Sequence, residues 1–189
     1  MKKIITLLLL AVSLTAFAQD HMKFMGIPIN GQLTTFCQQL EKKNFKLAKM
    51  YSNAAVYEGL FTGRVAYILV ETTPKTNIAT CVYVLYKEKG KWNTMESIYY
   101  DVKEQLAIKY GAAVDSTEIG GDVSDYFINN SIENGEVKRY AQFETASGTI
   151  VVGIDNFTPF DVFEDAYTYV VYIDKVNRAK AKQEEFDDL

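Results

Sequence analysis

One arrangement occurs twice along this chain and limits its fold more than any other feature: a helical pattern followed by four strand patterns. In the first copy, apolar residues recur at the i, i+3, i+4, i+7 spacing of one helix face: Leu33, Phe36, Cys37 and Leu40. Asn30 is a suitable N-cap. Runs rich in Val, Ile and Tyr, separated by Gly, Pro and Asn, then predict four strands: Lys46–Met50, Ala54–Phe61, Arg64–Thr72 and residues 78–87.

The second copy begins with a helical pattern over residues 94–110, where Asn93 and Glu96 resemble a capping box. Its apolar stripe consists of Met95, Ile98, Tyr99, Val102 and Leu106. Four strands are predicted after it: residues 125–132, 137–145, 149–157 and 166–175. Asn134-Gly135 is a strong hairpin pattern between the first two, and the Gly- and Asp-rich residues 112–124 are predicted to be an exposed loop.

The two copies match in the order of their elements, and both third strands end in Thr-Pro. We therefore predict an α+β fold made by tandem duplication of a helix plus a four-stranded antiparallel meander, with one helix packed on each sheet. The predicted repeats span residues 19–90 and 91–176. Residues 177–189 form a charged tail, basic and then acidic, that we expect to be a fraying helix or disordered.

Residues 1–18 have the pattern of a secretory signal peptide. Lys2-Lys3 precedes an apolar run over residues 4–14, and Ala16-Phe17-Ala18 supplies small residues before a cut at Gln19. The run is too short to span a bilayer, and no other apolar stretch approaches that length. The sequence thus predicts an exported protein, periplasmic or secreted, without a membrane span.

The charge of the chain argues against nucleic acid as a partner. Its net charge is −4, and removal of Lys2 and Lys3 makes it more negative, whereas nucleic-acid binding is typical of basic surfaces. The composition is that of an ordinary globular protein, and we expect a monomer or a weak dimer.

The opening residues 21–31 (HMKFMGIPING), the helix after them and the closing Asp187-Asp188-Leu189 resemble a large family of uncharacterised secreted proteins from Bacteroides-type bacteria. The tandem plan resembles the topology of β-lactamase inhibitor protein, a duplicated module that binds proteins through a concave sheet. The resemblance implies the fold and no activity, because a fold does not determine a function.

The residues do not predict a catalytic, cofactor or metal site. His21 is the only histidine, and there is no cysteine cluster with metal-ligand spacing. Cys37 and Cys81 either form a disulfide, as an oxidising compartment allows, or are free core residues. The acidic residues of the second half follow no acid–base pattern: Asp122, Asp125, Glu144, Asp155, Asp161, Glu164 and Asp165.

The tyrosines are the most informative candidates for a site, because the chain has 13 Tyr but one Trp. Tyr is favoured both in strands and at interfaces. We predict a non-enzymatic module that binds a protein or a polymer through an exposed sheet face. The candidate contacts are Tyr83, Tyr86, Tyr169 and Tyr172. Because side chains alternate between the two faces of a strand, at most one of Tyr83 and Tyr86, and one of Tyr169 and Tyr172, can lie on the exposed face.

Two alternatives remain open at this stage. The chain could instead be an enzyme with an unrecognised carboxylate site that acts on a glycan or peptide. Separately, Asp115-Ser116-Thr117 matches the O-glycosylation motif of Bacteroides-type bacteria, which makes Ser116 a candidate for modification, whereas the N-glycosylation matches at Asn129 and Asn156 carry little weight in a bacterial-looking chain.

Overall fold

The computed structural model describes residues 20–156 and 165–186. The predicted signal peptide, Asp161, Glu164 and the closing Asp187-Asp188-Leu189 lie outside these ranges. The strands are β1 (Lys23–Phe24), β2 (Ile27–Pro28), β3 (Lys46–Met50), β4 (Ala54–Phe61), β5 (Arg64–Thr72), β6 (Ala79–Tyr86), β7 (Asp115–Ile119), β8 (Lys138–Glu144), β9 (Gly148–Asp155) and β10 (Tyr167–Asp174). The α-helices are α1 (Leu33–Lys42), α2 (Trp92–Tyr110), α3 (Ile128–Glu133) and α4 (Lys175–Phe186).

The main sheet has eight antiparallel strands in the order β3-β4-β5-β6-β10-β9-β8-β7, and β1 pairs separately with β2. The prediction of an α+β fold with antiparallel strands is confirmed. The prediction of two separate sheets is wrong, because β6 pairs with β10 over five residue pairs, from Cys81↔Ile173 to Leu85↔Tyr169. Both strands are rich in β-branched and aromatic residues and are buried on both faces, as central strands usually are.

The first half forms nearly as its sequence predicts. Strands β3, β4 and β5 have the predicted bounds, and α1 buries the four predicted apolar residues. The prediction of Asn30 as N-cap is wrong, since Gln32 occupies the cap without a side-chain hydrogen bond. Residues 31 and 32 instead join β6 through main-chain contacts, including Ala79 N donating to Gly31 O at 2.9 Å.

The second half departs from its predicted elements at three points. Helix α2 begins at Trp92, so Asn93 does not cap it. The predicted loop 112–124 contains strand β7. Residues 125–132, predicted as a strand, form a 3₁₀ turn followed by α3, in which Ile128 and Ser131 are buried at helical spacing.

The Asn134-Gly135 pair ends helix α3 and does not form the predicted hairpin. Gly135 donates its N–H to Ile132 O at 3.0 Å and has a φ of 71°, a left-handed conformation that glycine adopts without strain. The chain then enters β8 directly, so β7 and β8 are connected by the 3₁₀ turn and α3.

The main core lies between the sheet and helices α1 and α2. Helix α1 contacts β3 and β4, and α2 contacts β8, β9 and β10. Large side chains from both halves and from the small β1–β2 hairpin meet there. Phe24 stacks on Phe61 and meets Tyr172 edge-on, with ring centroids 5.5 Å apart in each pair. Such aromatic pairs add to the free energy of burial.

The C-terminal tail is more ordered than its sequence suggests. Helix α4 extends to Phe186 and contacts β6, β9 and β10. Asn177 donates to Ile29 O at 2.8 Å and to Ala79 O at 3.2 Å, and Glu184 accepts from the Lys75 N–H at 2.8 Å. Buried polar contacts at both ends therefore hold α4 against the sheet. None of the helices in the described ranges combines the length and apolar character needed to cross a membrane.

Candidate functional site

The sheet face opposite α1 and α2, here called the open face, carries most of the tyrosines that are outside the main core. A second apolar cluster lies on it, formed by Ala54, Val56, Leu69, Leu85 and Tyr167, with Tyr51, Tyr67, Tyr83 and Tyr169 packed against them. All except Tyr51 belong to strands β4, β5, β6 and β10. This apolar cluster thus lies on the centre and one half of the sheet.

Three tyrosines of the open face share one row across the strands. The register pairs Tyr67 with Leu85, Leu85 with Tyr169, Tyr169 with Gly153 and Gly153 with Tyr140. The tyrosines therefore occur on alternate strands, about 10 Å apart, because neighbouring strands are separated by about 4.8 Å.

Gly153 makes room for the central ring of this row. A Cβ atom at position 153 would lie 2.7 Å from the Tyr169 hydroxyl and 2.9 Å from its Cζ. The tyrosine ring consequently lies over the backbone of β9, which only a residue without a side chain permits.

Tyr83 lies in the adjoining row, between Leu69 and Val171. Its hydroxyl donates to Glu71 Oε2 at 3.1 Å, and Arg178 from α4 lies 3.7 Å from the same carboxylate oxygen. This contact fixes the ring and connects the open face to the C-terminal helix.

Two lysines lie beside tyrosine rings of the open face. Lys87 Nζ lies 4.8 Å from the centroid of the Tyr67 ring and 3.1 Å from Glu58 Oε2. Lys89 lies 5.2 Å from the Tyr167 ring centroid and pairs with Asp165. These ammonium groups are within the range of cation–π attraction. Aromatic rings, lysines and carboxylates therefore lie side by side in this part of the open face.

Tyr83 and Tyr169 of the open face are neutral at physiological pH. Burial raises the pKa of Tyr83, and the nearby Glu71 charge raises it further. Burial likewise raises the pKa of Tyr169, with a smaller contribution from Asp155. These phenols can therefore contribute ring faces and hydroxyl hydrogen bonds, and phenolate chemistry is not available to them.

Two of the four predicted contact tyrosines belong to the main core, which corrects the predicted binding surface. Tyr86 is fully buried, its hydroxyl lies 2.9 Å from Thr62 Oγ1, and burial raises its pKa to about 12. Tyr172 packs on Phe24 and Phe61. Tyr83 and Tyr169 lie on the open face. Sequence reasoning missed Tyr67, Tyr140 and Gly153, although the alternation in β5 and β8 could have indicated both tyrosines.

Of the two alternatives for Cys37 and Cys81, the structure has the second, since both cysteines are free and buried. Cys37 lies in the main core on α1. Cys81 lies beside Glu71 and Arg178 on the open face, where Glu71 accepts from the Tyr83 hydroxyl and pairs with Arg178. The sheet therefore separates the two thiols, and a bridge would require the backbone to rearrange.

Both thiols should resist alkylation in the folded protein. Burial raises the pKa of Cys37 and raises that of Cys81 to about 12, and the thiolate is the reactive form. We expect iodoacetamide labelling, followed by mass spectrometry, to be at least about tenfold slower in the native protein than in guanidinium chloride. Rapid native labelling, or a native mass lower by two hydrogens, would contradict this assignment.

Ser116 lies exposed on the sheet edge in β7, where the sequence predicted a loop. Lys103 Nζ donates to its hydroxyl at 3.0 Å and also pairs with Glu118. The hydrogen bond from Lys103 lowers the pKa of Glu118.

His21 contacts the buried carboxylate of Asp174. Its Nδ1 lies 3.0 Å from Asp174 Oδ2, and the buried carboxylate also accepts hydrogen bonds from the main-chain N–H groups of Met22 and Asn177 at 2.8 Å. Among the predicted acidic residues, Asp125 accepts from the Trp92 N–H at 3.0 Å. Within the described ranges, no group of His, Cys, Asp and Glu side chains is arranged to hold a metal ion.

Comparison with known proteins does not add a family to these observations. No family model matches the chain, and no curated protein or solved structure matches it either.

Proposed function

We propose that this chain is an exported, non-enzymatic binding module that meets a protein or a polymer through the open face. The observation that carries the proposal is the row of Tyr67, Tyr169 and Tyr140 on alternate strands of the face that α1 and α2 leave uncovered. Tyrosine supplies a large contact area with few rotatable bonds, which suits recognition. Export rests on the signal-peptide pattern of residues 1–18, which also places the module in the periplasm or outside the cell.

A tandem duplication is part of the same proposal. The strand order is symmetric about the β6–β10 pair, with β3 and β7 at equivalent edges. Each half contributes a helix to the same side of the sheet. The symmetry supports a decayed repeat, and it supports the resemblance of the tandem plan to the topology of β-lactamase inhibitor protein. Under this proposal, fusion of the two sheets creates a single broad face.

The enzyme alternative receives no support from the described carboxylates. An acid–base pair needs two carboxyl groups whose pKa values differ. The pKa values of Glu118 and Glu184 are both lowered, and the two residues lie on separate elements, β7 and α4. These observations favour a binding module over an enzyme.

A comparison of variants on the two faces tests this proposal. Immobilised wild type, Tyr83→Ser/Tyr169→Ser and Lys87→Glu/Lys89→Glu would each be exposed to isolated envelope polymers and secreted proteins of the source organism. Tyr100→Ser is the matched control, because Tyr100 is 42% exposed on the helix side. We expect wild type and control to retain a ligand that both open-face variants lose by at least about tenfold, as hot-spot tyrosines do.

The result is interpretable because folding is measured separately. Each variant would be checked by circular dichroism, and the lysine variant changes only partly exposed side chains. Equal retention by wild type and open-face variants would contradict the binding site. Turnover of a glycan or peptide without stable retention would contradict the binding module itself.

A further inference from the structure

The sheet ends in two edge strands, β3 and β7, each of which pairs on one side only. All five residues of β3 are exposed, as are four of the five in β7. The outward main-chain N–H and C=O groups of these strands are not paired within the sheet. Such an edge is a template for pairing with another strand.

The two edges carry opposite charge. Residues 42–50 contain four lysines and no acidic residue: Lys42, Lys43, Lys46 and Lys49. Residues 111–125 contain four acidic residues and no basic one: Asp115, Glu118, Asp122 and Asp125. Charged edges normally prevent association. Here each edge repels a copy of itself and attracts the other edge.

The strand directions also fit. The eight strands are antiparallel throughout, so β3 and β7 run in opposite directions. If one copy continues the sheet of the next, β3 meets β7 in antiparallel orientation. Both strands have five residues, and each offers exposed apolar side chains for the contact: Leu47 and Met50 on β3, and Ile119 on β7.

We propose that copies of this chain associate head to tail, with β3 of one copy adding to β7 of the next. The contact is heterologous, so it leaves one free edge at each end and can propagate into short chains of copies. A β-bulge between Leu47 and Lys49 shortens the regular ladder. The association is therefore weak, sensitive to salt and visible at high protein concentration.

A charge-swap experiment tests the pairing. Within the strands themselves, Lys46→Glu/Lys49→Glu gives β3 two acidic residues and no lysine, so that both β3 and β7 are acidic, and Asp115→Lys/Thr117→Lys gives β7 two lysines against Glu118, so that both strands are basic. In sedimentation velocity at low salt, we expect wild type to associate with concentration and each variant alone to remain monomeric. An equimolar mixture of the two variants should associate at least as strongly as wild type. The control Lys175→Glu/Lys182→Glu changes exposed lysines of α4 and should behave as wild type.

Amide hydrogen exchange distinguishes strand pairing from charge attraction alone. Exchange over residues 46–50 and 115–119 should slow when wild type or the mixture associates. Three results would each overturn the proposal: a wild type that stays monomeric at high concentration, a mixture of folded variants that does not associate, or association without slowed exchange in β3 and β7. Loss of association in the α4 control would overturn it as well.

Discussion

Replacement of Asp174 by alanine should destabilise the protein by about 3–5 kcal/mol, because it removes a buried acceptor that three separate groups use. The carboxylate is fully buried, caps helix α4 through the Asn177 N–H, accepts from the Met22 N–H and lies against the His21 ring. An N-cap alone contributes about 1 kcal/mol, and each buried donor left without a partner costs about 1–3 kcal/mol. The midpoint of thermal unfolding should fall by about 10 °C.

Chemical denaturation with urea would measure this loss, with Asp101→Ala as the matched control. The Asp101 side chain is 55% exposed and pairs with Arg64 at 3.3 Å, so its removal should cost less than about 1 kcal/mol. Asp174→Asn keeps one acceptor oxygen and should fall between the two. If Asp174→Ala and Asp101→Ala were equally stable, Asp174 would not anchor the N-terminal segment and α4 together.

The role of Asp174 in anchoring the N-terminal segment could not be predicted from the sequence, since His21 and Met22 lie about 150 positions away. Periodicity reports which face of an element is apolar, and it carries no information about contacts between distant elements. For the same reason, the sequence gives no sign that His21 contacts Asp174. The basic-then-acidic order of the tail argued against a stable helix, and buried Asn177 and Glu184 outweigh that effect.

The first half was predictable because its local patterns agree with its tertiary contacts. Thr62-Gly63 and Thr73-Pro74 mark real strand ends, and positive φ values at Thr62 and Gly63 confirm a turn. Strand β7 was missed because an edge strand exposed on both faces has no apolar alternation to detect. The short run at residues 125–132 was ambiguous, since brief apolar segments fit a strand or a helix equally well.

The candidate site was predictable only in part. Alternation separates Tyr83 from Tyr86 and Tyr169 from Tyr172, but it does not say which member faces the helices. That choice depends on how α1 and α2 pack, and the shared row of Tyr67, Tyr169 and Tyr140 depends on register between distant strands. The pairing of β6 with β10 determines both which tyrosines face away from the helices and which tyrosines share a row.

Arg139 should be the second position with a large effect, and Arg139→Met should cost about 3–5 kcal/mol, as the loss of one partner of a buried ion pair does. The guanidinium is 4% exposed and pairs with Glu96 of α2. It also donates to Ile119 O at 2.7 Å and to Gly120 O at 3.2 Å, at the end of β7. One side chain therefore connects α2, β7 and β8, and methionine can replace only its apolar stem.

Arg64→Met is the matched control, because Arg64 forms ion pairs with Glu88 and Asp101 but its side chain is 36% exposed. Its free energy of unfolding should change by less than about 1 kcal/mol. The double variant Arg139→Met/Glu96→Leu removes the unpaired carboxylate and should recover part of the loss, because the penalty comes mainly from the charge left behind. If urea denaturation gave Arg139→Met the stability of Arg64→Met, or if the double variant were additive, Arg139 would not be the connection that holds β7 at the edge of the sheet.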